Sequence, residues 1–340
     1  MSAKTAPLPR ARRFYQRYAP FIALAIGCAT RVWSHHGVDF APKAVALVAL
    51  AWMLPFALAR WTMRGRGGRR KKNGRPTVLQ RLAELGSTTL VIALFRNVLF
   101  FLVPVWFGSA TITSINIAFP LLLAAMALYS CFDSSYRAQV LERPAMRTVW
   151  GFVILFAALV PAVAVVASLP PRPAVVISAA IAFLVTGAAL LPRERWLRRR
   201  SQGHIVLATL AGAFLLTWIA PALPPVPIVC NGSEFGTGVR DRAIDGAAER
   251  FDATPPHLYA WFAVALPAVY RQGINFQWFF NGRAAGRPVP SSVVGGRKEG
   301  YRTWSYLTAP PAGEWRVDVL TDAGQLICRQ STTIGRAPAR

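Results

Sequence analysis

Long apolar segments separated by short polar ones most constrain how this chain can fold. Of its 340 residues, 54% are hydrophobic and 16% are charged, whereas about a quarter of an ordinary soluble domain is charged. Apolar runs of this length suit a bilayer better than the core of a soluble domain. The pattern predicts about seven transmembrane helices, at residues 18–33, 41–59, 87–107, 115–132, 149–169, 174–191 and 204–222.

Basic residues indicate how such helices would be threaded. The segment Arg60–Arg81 carries nine Lys or Arg and no acid, so it resists entering or crossing hydrocarbon. The loops that alternation places on its side hold 22 Lys or Arg in total, and the opposite loops hold at most three: Arg31, Lys43 and Arg172. This asymmetry predicts a bacterial inner-membrane protein with a cytoplasmic N-terminus and its last 118 residues in the periplasm.

The formal net charge of +25 would suggest nucleic-acid binding in a soluble protein. Here most of the excess lies in loops beside apolar segments, where membrane topology and anionic lipid headgroups account for it. No base-stacking module is recognisable. The sequence therefore predicts membrane lipids as partners, and no nucleic acid.

The composition changes after residue 222, where acidic residues become common and long apolar runs end. We expect a multi-pass transmembrane region over residues 1–222, a stalk and polar linker over 223–256, and a periplasmic β domain over 257–340. The proline-rich segment Pro221–Pro227 is typical of a stiff, extended stalk.

Alternation of apolar and polar residues predicts the strands of this β domain. In Ile274–Phe280 every second residue is apolar, and Asn281-Gly282 behind it is a strong hairpin signal. Further strands are expected at Leu258–Ala265, Tyr301–Leu307, Trp315–Leu320 and Gln325–Thr332. The predicted fold class is an α-helical transmembrane bundle of about seven helices followed by a small all-β, Ig-like sandwich.

Two cysteines, Cys230 and Cys328, lie in the part predicted to be periplasmic, where disulfides form. A bridge between them would link the first segment of the β domain to its last strand. The alternative is that both are unpaired, small hydrophobic residues.

Arg96 and Asn97 lie inside the predicted third span. A charge within a membrane is costly, and it often belongs to a functional site. One interpretation is a polar path for an anionic substrate, and the other is that Arg96 reaches the membrane surface with its long side chain.

Sites for metals, cofactors and catalysis are not predicted. His35, His36 and Asp39 are close in sequence, but adjacent histidines seldom both reach one ion. The chain has no phosphate-binding glycine-rich loop, no GxSxG, no HExxH and no CxxC. Enzymatic activity is therefore not the preferred interpretation.

Aromatic residues are frequent in the β domain, and most suit the core of a sandwich. Arg302, Trp304 and Tyr306, however, alternate along one predicted strand and share a face, while Phe279 falls on the otherwise polar face of another. Exposed aromatic residues beside an arginine could stack on sugars or hold a partner strand. These four residues form the predicted ligand-binding or partner-binding surface.

The β domain resembles an uncharacterised family of bacterial C-terminal domains of unknown function, which are commonly attached to multi-pass inner-membrane regions. The resemblance covers about Leu258–Ile334. It rests on the motifs Gln277-Trp278-Phe279-Phe280-Asn281-Gly282, Tyr301-Arg302-Thr303-Trp304-Ser305 and Gly313-Glu314-Trp315-Arg316-Val317-Asp318-Val319, followed by Gly324 and Leu326. It implies a periplasmic β domain on an inner-membrane anchor, and it carries no catalytic assignment.

These observations favour a non-enzymatic envelope protein whose outer domain binds a partner protein or a glycan. The alternative is a transporter or an intramembrane enzyme that uses Arg96 and Asn97. Oligomeric state and ligand identity do not follow from the sequence.

Overall fold

The structure is a computed structural model that describes residues 95–190, 203, 207, 211–212, 214–268, 270–297 and 299–335. The first two expected spans lie outside these residues, as do the basic segment Arg60–Arg81 and the trio His35, His36 and Asp39. The start of the third expected span and much of the seventh also lie outside them.

The described helical part precedes residue 223. It contains α1 (Phe95–Gly108), α2 (Ala118–Tyr129), α3 (Asp133–Tyr136), α4 (Pro144–Val166) and α5 (Pro171–Leu190). Short turns of 3-10 helix lie at Ile115–Ile117 and Ala220–Ala222, and a π-helical segment at Arg137–Leu141 follows α3. Pro144 and Pro171 stand in the first turns of α4 and α5, where a missing N–H costs no helical hydrogen bond.

One apolar core joins these helices. Trp106 of α1 is fully buried, and its indole N–H donates to the carbonyl of Ala157 on α4 at 3.0 Å. Its ring meets Phe119 of α2 at a centroid distance of 4.5 Å, and Phe119 in turn meets Phe156 of α4. These contacts bring α1 and α2 against α4, while α5 packs along α4 as its neighbour in sequence.

The predicted bundle of about seven transmembrane helices is wrong. Among the described residues, a single helix, Ala145–Val166, is long and apolar enough to cross a membrane, with 22 residues and a mean hydropathy of 2.6. The other apolar stretches are Phe95–Gly108, Ile115–Tyr129 and Pro171–Gly187 within α5. They span 10–17 residues, fewer than the roughly 20 that a bilayer requires. Apolar composition misled the prediction because core helices share it, and 44% of the most apolar window of α4 is buried inside the protein.

The expected β domain is present at the C-terminus, and it contains eleven strands among the described residues. They are β1 (Val229–Gly236), β2 (Gly238–Arg240), β3 (Ala243–Asp245), β4 (Arg250–Phe251), β5 (His257–Ala265), β6 (Arg271–Phe280), β7 (Arg283–Ala284), β8 (Val289–Val294), β9 (Tyr301–Thr308), β10 (Gly313–Thr321) and β11 (Leu326–Ile334).

Two antiparallel sheets carry most of these strands. The three-stranded sheet has the order β1-β5-β9, and the larger sheet has the order β4-β11-β10-β6-β7, with β8 also paired to β6. Only the short pairing of β4 with β11 is parallel. The strands β2 and β3 form a separate hairpin.

The two sheets enclose a common core. Phe262 of β5 faces Phe276 of β6 at a centroid distance of 5.9 Å, and both are fully buried. The indole N–H of Trp278 donates to the hydroxyl of Ser305 across the sheets at 3.0 Å. In the long strands β5 and β6 alternate residues enter this core, so the residues between them are left on the two outer faces.

The β domain begins earlier than residue 257. Strand β1 starts at Val229 and pairs with β5 along its length, although its Gly-containing sequence lacks the alternation that identifies a strand. The segment expected as a stalk is also packed, because Leu223 and Val226 are buried in the helical core. The side-chain amide of Gln325 donates to the Leu223 carbonyl at 3.3 Å, so the two parts meet directly here.

Cys230 of β1 and Cys328 of β11 form a disulfide that links the two sheets. A bulge lies beside each cysteine, because the strand registers shift between Cys230 and Gly232 and again opposite Val319 and Leu320. The bridge therefore fastens the first strand of the domain to the last.

The loop between α1 and α2 docks on the β10–β11 hairpin. The hydroxyl of Thr111 donates to the carbonyl of Ile327 at 3.3 Å, and the amide of Asn116 donates to the carbonyl of Leu326 at 3.2 Å. The bulge makes Ile327 the extra residue of its strand, so its carbonyl is released from the ladder. The released carbonyl then accepts a bond from the helical part.

An ion pair between the partly exposed Arg329 and the buried carboxylate of Asp318 strengthens this junction. Arg329 donates to both carboxylate oxygens of Asp318, at 2.7 and 2.6 Å, and its remaining terminal nitrogen donates to the carbonyl of Thr113 at 2.8 Å. Arg316 lies 3.3 Å from the same carboxylate. The hydrogen bonds with Asp318 raise the pKa of Arg329 above its ordinary value, so Arg329 remains charged.

Candidate functional site

The outer face of the three-stranded sheet carries four aromatic residues, Tyr259 and Trp261 of β5 and Trp304 and Tyr306 of β9. We call them the aromatic face. Tyr259 is directly opposite Tyr306, and Trp261 is directly opposite Trp304. The alternation of each strand and the antiparallel register thus bring together residues about 45 positions apart in sequence.

The aromatic face is open to solvent. Trp304 is 39% exposed and Tyr306 is 55% exposed, which is unusual for rings of this size in a domain with a formed core. The rings of Tyr259 and Tyr306 are stacked, with centroids 5.3 Å apart and planes inclined by 28°. Tyr259 is half-buried and Tyr306 is the more exposed of the two, so the stack can be reached from solvent.

His257 closes one end of the aromatic face. Its ring forms edge-to-face contacts with Tyr259 and Tyr306, at centroid distances of 6.2 and 6.0 Å. Its Nδ1 atom lies 3.4 Å from the hydroxyl of Thr308. This end therefore presents polar groups beside the stacked tyrosines.

The β2–β3 hairpin adjoins the aromatic face at Trp261. The indole N–H of Trp261 donates to the carbonyl of Arg242 at 2.9 Å. Asp241 and Arg242 both have positive φ angles, as a two-residue turn of type I′ requires. The indole thereby holds the turn in place, and the Arg242 side chain is exposed.

A charged cavity lies next to the aromatic face, at the end away from His257. Its volume is about 380 Å3, and we call it the arginine pocket; it is lined by Arg242, Arg297, Glu299, Gly300 and Arg302. Arg302 donates to the Glu299 carboxylate at 2.6 Å. The guanidinium of Arg297 lies over the ring of Tyr301, 4.6 Å from its centroid, which restrains its position.

Gly300 shapes the wall of the arginine pocket. It has a φ of +93°, which residues with side chains rarely adopt. A Cβ atom there would lie 3.1 Å from the backbone of Val264. The loop before β9 can approach β5 this closely only with glycine at position 300.

The structure brings together three of the four residues predicted to bind a partner. Arg302, Trp304 and Tyr306 lie on one face of β9. Phe279 lies elsewhere, because β6 belongs to the larger sheet and its outer residues face the opposite side of the domain. There the guanidinium of Arg316 covers the Phe279 ring at 4.0 Å.

The residues that β5 and the two loops contribute carry no local signal in the sequence. Leu258–Ala265 is apolar on both faces, so Tyr259 and Trp261 were not distinguished from core residues. Arg242 and Arg297 occur in polar segments without alternation. Only the strand register and the turn at Asp241 show that these residues meet.

Arg96 and Asn97 lie in α1, within the helical part. Arg96 is 7% exposed, and its charge acts on the phenol of Tyr136. Burial raises the pKa of Tyr136 above its ordinary value, and the nearby guanidinium partly opposes this rise. The arrangement places a cation and a neutral phenol together in the helical core.

Metal-ligating side chains do not cluster in the described part of the chain, where no group of three or more His, Cys, Asp or Glu residues could hold an ion. His257 has aromatic neighbours and a hydroxyl. What the site offers is stacking surfaces and charged hydrogen-bond donors.

Comparison with known families assigns part of this domain. A DUF2914 domain, described as a protein of unknown function, covers residues 271–334. This range runs from β6 to β11, so it includes Arg302, Trp304 and Tyr306 but not β5 or Arg242. No curated protein was found to match the chain.

Proposed function

We propose that the β domain is a glycan-binding module, and that its aromatic face is the binding surface. The observation that carries this proposal is the exposed Tyr259–Tyr306 stack beside Trp304. Large exposed apolar patches with polar rims mark binding sites. This one has His257 at one end and the arginine pocket at the other.

An exposed aromatic surface suits sugar rings for a physical reason. An aromatic ring carries negative charge on its face, which attracts the polarised C–H groups of a pyranose. The hydroxyls at the rim of the sugar then need polar partners, and the His257 ring and the charged groups of the arginine pocket supply them. A protein partner would also cover apolar rings, and it is therefore an outcome that the experiment must separate.

The same proposal places the helical part in a bacterial inner membrane and the β domain in the periplasm. Helix α4 is long enough to cross a bilayer. Large apolar side chains are exposed on the described helices, among them Leu121, Leu128, Val149 and Val166. The disulfide supports an oxidising compartment for the β domain.

Calorimetric titration of the full chain in detergent with peptidoglycan fragments and neutral oligosaccharides tests the proposal. Trp304→Ala and Tyr306→Ala should each weaken binding by roughly tenfold, because each removes a stacking ring. Phe279→Ala is the matched control, since it removes a partly exposed ring from the other sheet. Equal losses for all three variants, or no binding by the wild type, would refute glycan binding at this face.

A protein partner would give a different pattern. Crosslinking at Trp304 in cells would then yield a defined protein adduct, while purified glycans would release no heat in the calorimetric titration. That result would replace the proposal with a protein-docking function.

The buried charge of Arg96 favours one second candidate, a polar path through the helical part. Purified protein in liposomes should then transport an anionic solute, and Arg96→Ala should abolish transport. Unchanged transport in the variant, or none in the wild type, would exclude this candidate.

A further inference from the structure

We propose that the arginine pocket is an anion subsite of the aromatic face, so that the ligand is an acidic polysaccharide bearing carboxylate or phosphate groups. This inference rests on the proposed glycan-binding function and makes it more specific. The relevant residues are Arg242, Arg297 and Arg302, which three separate segments of the chain bring to one cavity.

The pocket and the aromatic face form one continuous surface. Arg302, Trp304 and Tyr306 occupy alternate positions on the outer face of β9, so the Cα atoms of Arg302 and Tyr306 are about 13 Å apart along the strand. Arg242 is tied to the same surface, because the Trp261 indole holds its backbone at 2.9 Å. An extended chain that stacks on the rings therefore continues directly into the pocket.

The balance of charge in the pocket favours an anion. Three arginines line it, and Glu299 is the one acid among the lining residues. The nearby pair Arg240 and Asp245, whose atoms lie 3.6 Å apart, adds no net charge. Each arginine presents several N–H donors in a planar fork that matches a carboxylate or a phosphate.

Glu299 shows which group the pocket accepts. Its carboxylate lies 2.6 Å from the Arg302 guanidinium, and its side chain is 77% exposed. Exposed ion pairs of this kind contribute little to stability, so a ligand carboxylate can displace Glu299 from Arg302 at small cost. Glu299 thus acts as an internal competitor for the same guanidinium.

The test compares an oligogalacturonate with its methyl ester, which keeps the sugar rings and neutralises the carboxylates. Both are titrated into the full chain in detergent. The acid should bind at least tenfold more tightly than the ester, and its affinity should fall as salt is added. Arg242→Gln and Arg302→Gln should each lower the affinity for the acid about tenfold, and the affinity for the ester should not change.

Two further variants sharpen the comparison. Glu299→Gln should tighten binding of the acid, because it removes the competitor. Arg283→Gln removes an exposed arginine from the larger sheet, and it should change the affinity for neither the acid nor the ester. Circular dichroism and thermal unfolding of every variant show that the fold is retained.

The possible outcomes separate this inference from the proposed function. Equal binding of acid and ester, lost in Trp304→Ala but kept in the arginine variants, refutes the anion subsite while glycan binding stands. Binding of a glycerol-phosphate polymer in place of oligogalacturonate, with the same dependence on Arg242 and Arg302, supports the subsite with phosphate as the anion. Absence of binding to all three probes and to the neutral oligosaccharides overturns both proposals.

Discussion

Removing the disulfide between Cys230 and Cys328 should strongly destabilise the β domain. The bridge spans 98 residues of sequence. The loss of chain entropy in the unfolded state for a loop of this length corresponds to about 4.7 kcal/mol at 25 °C. Strain in the folded state should offset little of this stabilisation, because Cys328 is fully buried and the bridge joins strands that already pack together.

Urea unfolding of the full chain, followed by tryptophan fluorescence, measures this effect. The double variant Cys230→Ala/Cys328→Ala should lower the unfolding midpoint by at least about 1.5 M, given slopes of roughly 1–3 kcal/mol per molar urea. Cys131→Ala is the matched control, since this cysteine is exposed and lies in the helical part, outside the β domain. A midpoint shift no larger than that of the control would refute the entropic reasoning.

Further predictions concern single side chains. Asp318→Asn should destabilise the domain by about 3 kcal/mol, because Arg329 then loses its buried counter-charge; an unchanged melting temperature would contradict this. Trp278→Phe should lower the free energy of unfolding in urea by about 2 kcal/mol, since it leaves the Ser305 hydroxyl unpaired and a gap in the core. A loss no larger than that caused by substituting an exposed residue would count against this prediction. Burial raises the pKa of Tyr270, so unfolding free energy should fall as the pH rises above about 10, the ordinary phenol value; in Tyr270→Phe this fall should be smaller, and an identical pH profile would reject the assignment.

Most long strands of the β domain could be predicted from the sequence, because the alternation of apolar and polar residues is contained within each strand. The strand expected at Ile274–Phe280 is β6, Arg271–Phe280, and the one expected at Tyr301–Leu307 is β9, Tyr301–Thr308. Asn281 and Gly282 both have positive φ angles, as the hairpin signal requires. The strand β1 was missed because its pairing with β5 stabilises a segment that has no alternation of its own.

The candidate site could be predicted only in part. The alternation of Arg302, Trp304 and Tyr306 is a property of one strand and is visible in the sequence. Phe279 has the same local pattern, but which sheet contains a strand depends on pairing between distant segments. Arg242 reaches the site through a turn and one hydrogen bond from Trp261, and neither leaves a periodic signal.

The helical part shows the limit of hydropathy as a guide. The segments expected to span at 115–132 and 174–191 are apolar enough, yet the corresponding helices α2 and α5 include buried core positions such as Leu123 and Ala179. Apolar side chains lower the free energy equally well against lipid or against other helices. Composition therefore indicates that a helix is buried, but it does not indicate whether lipid or protein surrounds it.

The junction between the helical part and the β domain has a consequence for divergence among related chains. Thr111, Asn116 and Arg329 donate to main-chain carbonyls of Ile327, Leu326 and Thr113. Because every residue type has such a carbonyl, the side chains at these accepting positions can change without loss of the bonds. The donors cannot change so freely, and neither can the bulge that frees the Ile327 carbonyl. Related chains should therefore retain the polar donors and the bulge at these positions, while the residues whose carbonyls accept the bonds can differ in type.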